Sequence, residues 1–139
     1  EDREVQKAAL YGLGRLATEE AISKILEFIK SEDRELKKAA IVALGEANFY
    51  SDELFQCLKD EDPWVRYFAV KSVHKASDPQ ILLEKLTPLL DDPFPPVVIA
   101  TVEALSETAT SETKELLLSK INHPDRTVRE KIEEVIQKI

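Results

Sequence analysis

The sequence predicts an all-α fold, a solenoid of stacked antiparallel helix pairs. Three observations predict it. First, an aliphatic residue recurs at Val5, Leu36, Val65, Val97 and Val128, at spacings of 31, 29, 32 and 31 residues. Near-constant spacing of this length is the mark of a repeat architecture. Second, the residues four and eight positions further on repeat with it. They are Ala9, Ala40, Ala69, Thr101 and Ile132, then Leu13, Leu44, Val73, Leu105 and Ile136. An i, i+4, i+8 stripe is one buried face of a helix. Third, Asp2, Asp33, Asp62 and Asp125 stand three residues before the recurring aliphatic, the ruler position of each copy. There a carboxylate accepts from the free N–H groups of a helix's first turn.

Taken in order, each copy opens with a first helix. Pro63 follows Asp62 at a position where its missing N–H costs nothing. Mostly small residues flank the buried stripe (Ala8, Ala39, Ala100; Gly12, Ala43, Ser72, Ala104), which lets helices approach closely. The fourth copy departs, with Phe94 at the Asp position inside Asp91-Asp92-Pro93-Phe94-Pro95-Pro96. Its cap must come from elsewhere, and Asp92 is the candidate. Shorter second helices are expected over 19–30, 52–59, 79–90 and 112–121, with Thr18, Ser51, Asp78 and Ser111 as N-caps. None of these can bury its apolar face alone, whereas stacked pairs can.

In the last helix Glu133, Glu134 and Lys131 occupy rows that hold apolar or small residues in the first two copies, Leu10 and Ile41 among them. A terminal repeat with a polar outer face is a cap. The expected division is one domain, 1–139, with repeats over 1–31, 32–60, 61–91 and 92–122 and a capping helix over 123–139. The first helix shows no polar replacement and the chain lacks Met, so the reading expects the C-terminal part of a longer chain.

The run Asp62-Pro63-Trp64-Val65-Arg66 followed by Ala69 resembles the opening of HEAT-type repeats, in particular the short HEAT-like class of phycobilin lyases. Ala43-Leu44-Gly45 resembles the close of the same pattern, and Gly12-Leu13-Gly14 does so with one change. The resemblance covers essentially the whole chain. It implies a right-handed α-solenoid whose second helices line the concave face. It also raises the alternative of a bilin lyase or isomerase and, less strongly, of a nucleic-acid-binding HEAT-like protein. The iron-binding HEAT-repeat hydroxylases carry His-Glu pairs, and this sequence has no His-Glu dipeptide.

Composition narrows the function. The net charge of −8 weighs against general nucleic-acid binding, which draws its affinity from Lys and Arg on phosphates. No apolar run approaches the ~20 residues of a membrane span. The only two histidines, His74 and His123, lack metal-ligand spacing, and Cys57 has no His nearby. The reading is therefore a protein-interaction scaffold without catalysis, cofactor or metal. It is expected in the cytoplasm, holding a protein or peptide of basic character rather than nucleic acid or membrane.

Two sets of residues are candidates for the partner. Trp64 and Tyr67 fall off the buried stripe, with Arg66 between them, and Trp, Tyr and Arg are enriched at binding hot spots. Phe49 and Tyr50 occupy an inter-helix loop. Arg66 is also part of the repeat pattern, shared with Arg129. The second set is the carboxylates Asp52, Glu84 and Glu115, at matching positions of the second helices.

Overall fold

A computed structural model describes residues 2–74, 78–108 and 110–139. Among these residues all regular structure is helical. The helices are α1 (Arg3–Leu16), α2 (Glu19–Phe28), α3 (Arg34–Glu46), α4 (Asp52–Gln56), α5 (Pro63–Val73), α6 (Pro79–Leu86), α7 (Pro95–Ser106), α8 (Ser111–Leu118) and α9 (Arg126–Lys138). Tight 3-10 turns extend α4 over Cys57–Lys59 and α6 over Thr87–Asp91. The odd-numbered helices are the first helices of the repeats, and the even-numbered ones are the second.

The chain forms two compact units, Glu1–Ala76 and Ser77–Ile139, so the division falls inside the third repeat. In the first unit α1 packs on α3 and α3 on α5, while α2 packs on both α1 and α3. In the second, α7 packs on α9, the α6 segment packs on α7, and α8 packs on α7 and α9. The second helix of each repeat thus also packs on the first helix of the next.

The capping grammar explains where the first helices begin. Asp2 accepts from the Glu4 N–H, Asp33 from Glu35 and Leu36, Asp62 from Trp64, and Asp125 from Val128. Such a cap contributes about 1 kcal/mol. In α7 the expected candidate, Asp92, accepts from the Phe94 N–H at 2.9 Å. Pro95 and Pro96 have no N–H, and the Val97 N–H reaches the Phe94 carbonyl. The orphan donors of that turn are all accounted for, so no first-turn cap is needed. Among the second helices Thr18, Ser51 and Asp78 cap as expected. The fourth is a correction: Thr110, not Ser111, is the N-cap, because its hydroxyl reaches the N–H of Thr113.

The stripe is buried in the second to fifth copies: Leu36, Ala40, Leu44; Val65, Ala69, Val73; Val97, Thr101, Leu105; and Val128 and Ile132. Thr101 satisfies its buried hydroxyl on the Val97 carbonyl. The first copy differs. Val5 is 59% exposed, Ala9 is exposed and Leu13 is half-buried. In the later copies the preceding second helix packs on this face, and among the described residues none precedes α1.

Between the first helices, glycine sets the approach. A Cβ built on Gly14 would stand 2.6 Å from the Ala43 carbonyl oxygen. One on Gly45 would stand 2.9 Å from the Ser72 Cβ and Oγ. Ser72 closes the gap with a hydrogen bond to the Ile41 carbonyl.

Candidate partner-binding surface

The surface is built on the first turns of α5. Asp62 fixes the start of that helix, and the third residue of the run, Trp64, projects from a turn that is hydrogen-bonded to the cap. Trp64 is 44% exposed. Its ring meets Tyr67 edge to face, with centroids 5.4 Å apart and planes at 78°. Tyr67 meets Phe68 in the same manner at 5.3 Å and 82°. Edge-to-face contact aims the positive ring edge at a negative ring face, and such pairs add about 0.5–1.5 kcal/mol. The result is a run of edge-to-face aromatics with Trp64 outermost.

Arg66 lies between these aromatics in sequence but is turned back on the chain. Its Nη1 donates to the Asp60 carbonyl at 2.8 Å and the Glu61 carbonyl at 3.2 Å. Arg129 repeats the arrangement on the carbonyls of His123 and Pro124, at 2.8 and 3.0 Å. The recurring Arg therefore ties down the loop that leads into its own helix.

A second recurring element had no clear signature in sequence. The residue two before each cap position accepts that position's backbone N–H. It is Ser31 for Asp33, Asp60 for Asp62, Asp92 for Phe94, and His123, through Nδ1, for Asp125. Three residue types, Ser, Asp and His, do one job, so no single type marks the position in every copy. His123 thereby has a structural role in its loop, and His74 ends α5 with Nδ1 against the Lys71 carbonyl.

Within the first unit, Phe49 and Tyr50 do not join Trp64 in one patch. Phe49 and Tyr50 are half-buried just past the C-terminal end of α3, where the Phe49 N–H bonds the Leu44 carbonyl. That end packs beside Ser72, eight residues or about 12 Å along α5 from Trp64. The Tyr50 hydroxyl donates to Asn48, and burial pushes its pKa up. Asp52 is exposed on α4 in the first unit. Glu84 and Glu115 are exposed on α6 and α8 in the second.

The first unit also holds a groove of mixed charge, about 570 Å³, lined by Lys30, Ser31, Glu32, Arg34, Lys37, Lys59, Asp60 and Glu61. Asp60 anchors it, paired to Lys37 and, at 3.7 Å, to Arg34. Burial works to raise the Asp60 carboxyl, but the Lys37 ammonium, the Asp62 N–H and Arg34 outweigh it and hold it below the usual range. Lys30 and Lys59 make no ion pair among the described residues. Both stand six residues before the ruler position, a matching that was available in the sequence. Cys57 is buried at the wall of an adjoining groove, its Sγ on the Glu53 carbonyl. Burial pushes its pKa up to about 11, so it is a thiol rather than a thiolate near neutrality. Among the described residues no three His, Cys, Asp or Glu side chains gather as a metal would need. Among the described residues no helix is long and apolar enough to cross a membrane.

Comparison with known proteins agrees with the repeat pattern. A family model described as HEAT repeats matches residues 1–49 and 51–137. The chain is also similar to the AP-1 complex subunit beta-1 of Mus musculus and of Homo sapiens. Each is 40% identical over 77 residues, half of this chain but 8% of theirs. The chain thus spans less than a tenth of the length of these relatives.

Proposed function

Since the chain belongs to the HEAT-repeat family, we propose that it is a protein-interaction scaffold that offers a preformed helical surface and performs no chemistry of its own. The observation that carries this is Trp64, 44% exposed yet in edge-to-face contact with Tyr67. A large side chain already fixed in place loses little freedom on binding, so most of its contact area is available as affinity. The named relatives are subunits of a complex, which supports a role spent against other chains.

The partner we infer is a cytoplasmic protein or peptide that covers Trp64 and Tyr67 with an apolar anchor. Exposed Asp52, Glu84 and Glu115 favour basic residues in that partner. Arg66 contributes by holding the 60–61 loop that leads into α5.

The test is affinity capture with the whole chain, followed by titration of the captured protein against the Trp64→Ala variant. The expected result is a loss of at least ~10-fold in affinity, about 1–2 kcal/mol, with unchanged circular dichroism and melting temperature. Equal affinity, or an unfolded variant, sinks the role of Trp64. Tight binding of duplex DNA that collapses with added salt would replace a protein partner with nucleic acid.

A further inference from the structure

We propose that the partner residue seated on Trp64 is flanked by a carboxylate, and that Lys38 receives it. The inference rests on the reading of Trp64 as an anchor and adds the chemistry beside it.

One pair of positions changes character between copies. Glu4 and Lys7 on α1 form an ion pair at 3.8 Å, and Glu35 and Lys38 on α3 form the matching pair at 3.1 Å. The same two positions on α5 hold Trp64 and Tyr67, in edge-to-face contact. Lys7 also reaches across to Glu35 on the next first helix, at 3.8 Å. Charge therefore alternates along a ladder from Glu4 through Lys7 and Glu35, and it ends on Lys38.

Register places that positive end beside Trp64. Arg3 pairs with Asp33 at 3.0 Å, and Arg34 with Asp62 at 3.3 Å. Gly14 seats on Ala43, and Gly45 on Ser72. In both sets α5 lies on α3 as α3 lies on α1. The contact of Lys7 with Glu35, carried one helix further, brings Lys38 to Trp64, which has no carboxylate to offer. Lys7 thus bridges two carboxylates, whereas Lys38 has only Glu35 among the described residues. Tyr67 adds an open donor. Its hydroxyl makes no hydrogen bond among the described residues and is not buried. Glu61, three residues before Trp64, lines the groove that holds Lys30 and Lys59.

An ammonium and a phenol hydroxyl side by side call for an acceptor, and a carboxylate is the charged acceptor that a protein partner carries. A partner cation here would meet Lys38, and the nearest carboxylate, Glu35, is already shared by two lysines. The basic residues favoured by Asp52, Glu84 and Glu115 answer to the second helices and not to this corner.

Trp64 is the chain's single tryptophan, so its emission reports binding without a label. The probes are capped Gly-Glu-Phe-Glu-Gly and its versions with Gln or Lys in place of both Glu. Each is titrated to millimolar concentration at about 0.15 M salt, where the field of distant charges is screened. The acidic peptide is expected to bind about threefold more tightly than the Gln peptide, as an exposed ion pair allows. Lys38→Gln is expected to abolish that preference and Lys38→Arg to keep it. Glu35→Gln, which releases Lys38 from its present pair, is expected to widen it. Equal binding of the acidic and Gln peptides, tighter binding of the Lys peptide, or an acid preference that persists in Lys38→Gln overturns the proposal and leaves Trp64 as an anchor. Where Lys38→Gln fails to fold, an acid preference that narrows in Glu35→Gln overturns it. No response to any of the three peptides overturns it as well, and capture with Trp64→Ala then judges the anchor by itself.

Discussion

Gly14 lies so close to Ala43 that a methyl group on it would stand 2.6 Å from the Ala43 carbonyl oxygen and 3.1 Å from the Ala43 Cβ. The obstacle is backbone, which cannot swing aside as a side chain tip can. Gly14→Ala is expected to push α1 from α3 and cost about 1–3 kcal/mol in urea unfolding. Gly45→Ala should cost less, because the atoms it meets belong to the small Ser72 side chain and its Cα. Gly12→Ala reports the opposite sign. With nothing within 4 Å, it should stabilise by up to about 1 kcal/mol through helix propensity alone.

Arg66 offers a second separation of stability from binding. Its bonds to the Asp60 and Glu61 carbonyls are charge-assisted, and such bonds contribute about 1.5–3 kcal/mol. Arg66→Ala should lower the free energy of unfolding by about that amount, and Arg129→Ala should behave alike. Unchanged stability in both variants would show that the guanidinium does not hold the loop.

Asp60 predicts a dependence on pH. Its folded pKa is held below the unfolded value of about 3.9, with Lys37 as the main partner opposing the effect of burial. A depressed carboxylate pKa contributes stability that is complete above the unfolded value and is lost as pH falls through the folded one. Melting temperature should therefore drop as pH falls below about 4. The drop should be shallower in Asp60→Asn, which is also less stable than the parent at pH 7. Parallel pH profiles for the two proteins would refute the assignment.

Cys57 should resist alkylation. With the thiol buried and its pKa near 11, iodoacetamide at pH 8 should modify the native chain far more slowly than the chain in denaturant. Mass spectrometry of timed aliquots reads the ratio. Comparable rates would place Cys57 at an open surface.

The mobility of Trp64 is open to the same kind of check. Its contact with Tyr67 predicts slow, uniform tryptophan anisotropy decay, and Tyr67→Ala should add a fast component while leaving the helix content intact. If the decay is already fast in the parent, the aromatic pair is not preorganised.

The sequence by itself determined the all-α repeat, its period, its five first helices and the Asp caps. These are local or periodic facts. A cap needs only the next three residues, and a buried stripe needs only helical spacing. The structure decided what depends on which element stands alongside. It left Val5 and Ala9 bare although they match Leu36 and Ala40, because burial requires a neighbour and not only a pattern. It turned Arg66 toward the Asp60 and Glu61 carbonyls, and it set Phe49 and Tyr50 at the far end of the helix layer from Trp64. It gave Ser31, Asp60, Asp92 and His123 one shared task that no common residue type announces. Pattern fixes which side chains share a helix face, whereas only packing fixes what that face meets.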